Sequence, residues 1–165
     1  GEAPWLVALR EFVQSMHVAR RRLAGVCFGH QLVAEALGGR AERAGEWRAG
    51  PEHMVMQPTP WFDGGGVTIH AMHQDVVTVL PAESQVIATG RTADVPAYVV
   101  GDHILCIQDH PEYSATYIAA LVSARRHRLG DELTDDALGR IASQTTDGSV
   151  VAAWIVDFLL DRRRS

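Results

Sequence analysis

The stretch "LAGVCFGHQLVAEALGG", residues 23–39, sets one cysteine between two glycines, after a short apolar run and before a helical pattern. Gly25-Val26-Cys27-Phe28-Gly29 has the Gly-x-nucleophile-x-Gly spacing of a nucleophile elbow. In such an elbow a strand ends, the chain turns sharply and a helix begins, with the nucleophile held at the bend. Side chains two residues to either side would crowd the turn, so glycine is expected there. The thiol then sits near a helix N-terminus, whose partial positive charge favours thiolate over thiol. The backbone N–H of Phe28 is left free to bind a developing oxyanion. The competing reading is a small buried hydrophobe that happens to lie between glycines. The rest of the chain has to decide.

Working outward, Trp5, Leu6, Leu9, Phe12, Val13 and Met16 recur at three- and four-residue spacing. They predict a helix with one apolar face, opened by Pro4. "RRLAGV" reads as a positive helix end running into a buried strand. From His30 the pattern is helical until Gly38 and Gly39 stop it. Residues 41–108 carry short β-branched or alternating runs punctuated by Gly and Pro. Gly101-Asp102 reads as a two-residue hairpin turn between two of them. After Pro111 the chain turns helical again. Thr134, followed by Asp135 and Asp136, reads as a helix cap with acidic first-turn residues. Val150, Val151, Trp154, Ile155, Phe158 and Leu159 form the face of a last helix. This order predicts a sheet covered by helices on both sides.

Composition narrows the chemistry. At 165 residues the chain is about one domain. All 15 basic residues are arginine, which excludes a Schiff-base lysine and a lysine-bearing phosphate loop. A net charge of -5 argues against a nucleic-acid surface. No run approaches the ~20 apolar residues of a membrane helix. Cys27 and Cys106 lie far apart and outside any disulfide-dense setting, so a reducing, cytoplasmic compartment is expected. Cys106, inside "HILCIQ", reads as a buried space-filler.

A thiol nucleophile needs a base. "CIQDHPEYS" puts His110 at the end of an apolar strand, followed by Pro111 and Glu112. A doubly wound sheet places its functional groups at strand ends. Glu112 is close enough in sequence to orient the imidazole, giving Cys27, His110 and Glu112 as nucleophile, base and orienter. A surface His-Pro-Glu turn is the alternative. In "HAMHQDVVTVLP", His70 and His73 are three apart, but no third ligand accompanies them. The segment reads as a strand entering a loop that lines a pocket. No metal and no cofactor is expected.

Together "GVCFGHQLVAEALGG", "HQDVVTVLP" and "IQDHPE" resemble the class I glutamine amidotransferases, in the family's order. The resemblance favours the reactive thiol. It implies an α/β fold with a mostly parallel central sheet, and hydrolysis of glutamine's side-chain amide or of a related γ-glutamyl bond. It implies attack by Cys27 to form a thioester. His110 passes a proton to the departing amine and then activates water, and Glu112 orients His110. Gly29 and Gln31 match substrate-contacting positions, and backbone near Met72, Gln74 and Asp75 matches the loop gripping the substrate's amino-acid end. His73 matches a motif position without a chemical step.

Two departures accompany the resemblance. The family's first strand and glycine-containing oxyanion loop precede the "PW" helix, whereas this sequence opens at Gly1 just before it. Residues 1–165 are therefore expected to be one N-terminally incomplete domain, or else an inactive binding homologue. Beyond Glu112, residues 114–165 form a helical extension. That extension is similar to the stand-alone subgroup that resembles the GMP synthase glutaminase domain and includes γ-glutamyl peptidases. The expected ligand is glutamine or a γ-glutamyl small molecule. A glutaminase supplying ammonia to a separate synthetase subunit is the rival, distinguished by activation on adding that subunit.

Overall fold

A computed structural model describes residues 2–91 and 93–165. Helix α1 (Pro4–Val18) starts on proline, whose missing N–H costs nothing in a first turn. Strand β1 (Leu23–Val26) leads through Cys27 into α2 (Phe28–Ala36). Two long strands follow, β2 (Arg40–Met56) and β3 (Gly65–Val79). Next come β4 (Ser84–Val86), β5 (Ala88–Gly90), β6 (Ala97–Val100) and β7 (Ile104–Ile107). Helices α3 (Ala115–Ala124), α4 (Arg126–Leu129), α5 (Asp131–Ser143) and α6 (Gly148–Leu159) complete the chain.

The central sheet has the order β1-β7-β6-β4. Its β1–β7 pair is parallel and its other two pairs are antiparallel, so the sheet is mixed. The short β6–β7 turn dictates antiparallel pairing, because a parallel return needs a long crossover. That turn has three residues between the strands, Gly101, Asp102 and His103, rather than the two expected. Among the described residues β1 pairs only with β7, which leaves its other edge open.

Alternation along β6 and β7 feeds two cores. Tyr98, Val100, Ile104 and Cys106 pack with Val13 of α1 and Leu32 and Val33 of α2. Ala97, Val99, Leu105 and Ile107 pack with Val151 and Phe158 of α6 and with Met54, Met56, Val67 and Ile69 of the β2–β3 ribbon. Helices therefore cover both faces, as the element order predicts. Cys106 is fully buried, as expected of a space-filler, and burial pushes its thiol up to about 12. Burial on α1 is narrower than its periodicity suggests: Val13 is buried, whereas Trp5 and Phe12 are 61% and 48% exposed.

The long ribbon corrects two expectations. The segment around His70 and His73 is strand throughout, not strand into loop, because β3 pairs with β2 almost to the end of both. The register shifts twice, between Arg40 and Ala41 and, more widely, between Arg43 and Arg48. At the other end, Thr134 is not a cap. Gly130, at φ +83°, turns the chain into α5 four residues earlier. Thr134 lies buried within the helix and donates its hydroxyl hydrogen to the Gly130 carbonyl at 2.7 Å. Helices α3 and α5 cover the ribbon through Ile118, Val122, Ala137 and Ile141, packed on Ala49 and Met72.

Candidate active site

Cys27 occupies the bend between β1 and α2 at φ 52° and ψ -102°. Such a conformation costs a non-glycine residue about 1–3 kcal/mol and persists only where its surroundings enforce it. Here the Cys27 N–H donates to the Ile107 carbonyl at 2.9 Å, and its own carbonyl accepts from the Gln31 N–H at 3.2 Å. The two glycines are not equivalent. A Cβ on Gly25 would lie 2.7 Å from the Gly29 backbone, so bulk is excluded there. A Cβ on Gly29 would meet nothing within 4 Å. The expected crowding therefore holds on one side of the cysteine only.

Parallel pairing of β1 with β7 sets Val26 opposite Ile107. The residues that follow in each strand are consequently neighbours, and the side-chain amide of Gln108 donates to the Cys27 sulfur at 3.8 Å. The Gln108 oxygen accepts from Gln31 Nε2 at 3.3 Å, and Gln31 also donates to the Asp75 carbonyl at 2.9 Å. A buried chain of amides thus links the thiol to α2 and β3.

Past Gln108 the chain is tied to the ribbon, with the His110 N–H donating to the His70 carbonyl at 2.8 Å. His110 Nδ1 lies 2.6 Å from Glu112 Oε1. A carboxylate can only accept, so Nδ1 carries the proton and Nε2 is left as the basic nitrogen. The imidazole also stacks on Tyr113, with ring centroids 4.0 Å apart and 6° between planes.

Burial and, after it, the carboxylates of Asp109, Glu112 and Asp75 push the Cys27 thiol up to about 11. The Phe28 N–H opposes them but does not prevail. The expectation that the helix terminus would favour thiolate is therefore reversed: desolvation and three acidic neighbours outweigh one backbone dipole. The resting group is a thiol, and attack requires a base at the moment of reaction.

A cleft of about 180 Å³ opens at Cys27 and is lined also by Phe28, Gln31, Met72, His73, Gln74 and Asp75. Seven of the sequence-predicted positions therefore share one cavity. Gly29 does not belong to it and borders the groove between α1 and α2. Among the described residues Gln74 has no register partner in β2, because residues 44–47 loop out at the ladder break opposite it. That break leaves the Gln74 backbone outside the ladder and carries Trp47 into the cleft.

Sequence reasoning missed Gln108, Asp109 and the cleft-lining Trp47, Arg43, Arg125 and Arg128. The β1–β7 register would have found Gln108. Asp109 Oδ1 lies 3.1 Å from His73 Nε2, both side chains being 2% exposed. His73 Nδ1 faces the Asp75 carbonyl at 3.2 Å and must carry a proton to donate there. The His73–Asp109 contact sets β3 against the residue preceding His110. Among the described residues no group of three or more His, Cys, Asp or Glu side chains could hold a metal ion. Likewise no helix is long and apolar enough to cross a membrane.

A strained cysteine at a strand-to-helix bend, with a His-Glu pair on the segment that follows the strand paired in parallel with β1, is the arrangement of a thiol-elbow α/β protein. The class-I glutamine amidotransferase family matches residues 9–124, and the chain belongs to that family. That membership places it among the amidotransferase-type hydrolases. Gamma-glutamyl peptidase 2 of Arabidopsis thaliana is 29% identical over 98% of this chain and 69% of its own length. GMP synthase [glutamine-hydrolyzing] of Thermus thermophilus is 38% identical over 57% of this chain and 19% of its own. A crystal structure of a glutamine amido transferase from Methylobacillus flagellatus has the same fold, with a TM-score of 0.76 at 19% identity. It is matched over 99% of this chain and 72% of that one. The chain spans 49% to 69% of the length of the γ-glutamyl peptidases it matches.

Proposed function

We propose that this chain is a cysteine-dependent hydrolase of the glutamine side-chain amide or of γ-glutamyl bonds, acting through a γ-glutamyl thioester. The observation that carries the proposal is the 2.6 Å His110–Glu112 contact on the segment following β7, the strand paired in parallel with the one leading into Cys27. The thiol proton passes to His110 Nε2 as sulfur attacks the carbonyl carbon. The oxyanion is received by the Phe28 N–H. His110 then hands that proton to the departing nitrogen, and the carbon–nitrogen bond breaks. Water, deprotonated by His110, attacks the thioester; glutamate leaves and the thiol regains its proton. Glu112 holds the imidazole in its tautomer and stabilises the imidazolium. Gln31 and the β3 backbone from Met72 to Asp75 form the wall that receives the glutamyl group, with His73 held between Asp75 and Asp109.

Residues 1–165 are read as one domain with a helical extension from residue 114. Both cysteines are free, which supports a reducing, cytoplasmic setting. The likeness to GMP synthase favours a second reading, a glutaminase that passes ammonia to a separate synthetase subunit. Three assays decide. An electrophilic glutamine analogue should modify Cys27 stoichiometrically and leave Cys27→Ser untouched. A γ-glutamyl dipeptide cleaved by the protein alone supports the peptidase. Glutamine hydrolysis that accelerates only when a synthetase is added supports the second reading. Absence of labelling in folded protein makes the chain a binding homologue.

A further inference from the structure

The cleft at Cys27 has an arginine wall that hydrolysis of glutamine does not need. Arg125 closes α3 and Arg128 lies in α4; both line the cleft. Among the described residues neither has an acidic partner, whereas Arg126 between them pairs with Asp131 at 2.9 Å and Asp135 at 2.7 Å. Arg43, the third cleft arginine, has Asp75 at 3.6 Å. Arg128 lies over the Trp47 ring, its guanidinium carbon 5.8 Å from the centroid. Tyr113 stacks on His110, with ring centroids 4.0 Å apart. Trp47 also lines an adjoining cavity of about 670 Å³, much larger than a departing ammonia needs.

Two uncompensated guanidinium groups beside a departing ammonia would oppose its protonation. Beside a departing amine that bears a carboxylate they supply planar, charge-assisted donors. Accepting the hydrolase reading above, we infer that Arg125 and Arg128 form a subsite for the carboxylate of the leaving amine, which makes γ-glutamyl amino acids the preferred substrate class over glutamine. The glutamyl end is received on a different wall, built from α2 and β3.

The test compares γ-glutamylalanine with γ-glutamylalaninamide, which differ only in that carboxylate. The wild type should favour the acid by about 10- to 100-fold in kcat/KM. In Arg125→Gln/Arg128→Gln the preference should collapse toward unity, mainly through KM, and the Lys/Lys variant should recover part of it. Equal loss on both substrates would mean that the arginines hold the glutamyl carboxylate, and would overturn the subsite. An unaltered preference would do the same. A readout independent of turnover uses alkylation of Cys27 by anionic iodoacetate and neutral iodoacetamide. The iodoacetate-to-iodoacetamide rate ratio should fall several-fold in the Gln/Gln variant; an unchanged ratio sinks the subsite. If the wild type cleaves neither compound, the hydrolase reading fails while this ratio still judges the arginine wall. Thermal melts of each variant establish that it is folded.

Discussion

Titrating the reactivity of Cys27 probes the reversed thiol most sharply. Burial and the carboxylates of Asp109, Glu112 and Asp75 move its pKa from 9.0 to about 11. Alkylation proceeds through the thiolate, so below pH 9 Cys27 should react about 100-fold more slowly than an unperturbed thiol of the same nucleophilicity. The rate should climb about tenfold per pH unit through pH 9 without levelling. Mass spectrometry of the modified peptide assigns the rate to Cys27, because Cys106 is wholly buried. Asp109→Asn removes the acidic neighbour that raises the thiol most and should lower the midpoint of the profile by on the order of one pH unit or less. Glu112→Gln should lower it by a smaller amount. A plateau below pH 8 in the wild type would refute the reasoning. It would mean that a thiolate–imidazolium pair exists at rest, so proton transfer is not coupled to attack.

Three further outcomes follow from particular contacts. Gly25→Ala should cost about 1–3 kcal/mol and blunt labelling of Cys27, whereas Gly29→Ala should be tolerated; equal effects in urea melts would contradict the asymmetric elbow. His30 is fully buried and held down to about 3 from 6.5, chiefly by burial. Its contribution is therefore complete above pH 6.5 and is lost as pH falls toward 3, by up to a few kcal/mol, a slope that His30→Gln should flatten. Arg140 donates to the Pro51 and Ala49 carbonyls, each at 2.7 Å, and pins α5 to β2. Arg140→Met should lower stability by about 2–3 kcal/mol, and a change under 0.5 kcal/mol would contradict that anchoring.

The parts of the fold carried by local pattern were readable from the sequence. Pro4 marks the start of α1, the stripe from Val151 to Phe158 marks α6, and the Gly-x-Cys-x-Gly run marks the elbow. Apolar β6 and β7 were readable as strands because nearly every residue faces one of two cores. What stayed hidden depends on partners distant in sequence. The length of β3 is set by its ladder with β2, not by its own residues. Gln108 is an unremarkable glutamine until the β1–β7 register sets it against the sulfur. Asp109 carries no local sign of burial, and its contact with His73 is made only when β3 is in place. The raised thiol was equally hidden, since the helix terminus is local whereas the opposing carboxylates are assembled by the fold.

Rapid quenching of turnover with a γ-glutamyl dipeptide, followed by peptide mapping, tests the thioester most directly. The account predicts a hydroxylamine-labile γ-glutamyl adduct on the Cys27 peptide, absent in Cys27→Ser and formed far more slowly in His110→Asn. Undiminished turnover by Cys27→Ser, with no adduct in the wild type at any quench time, would contradict it.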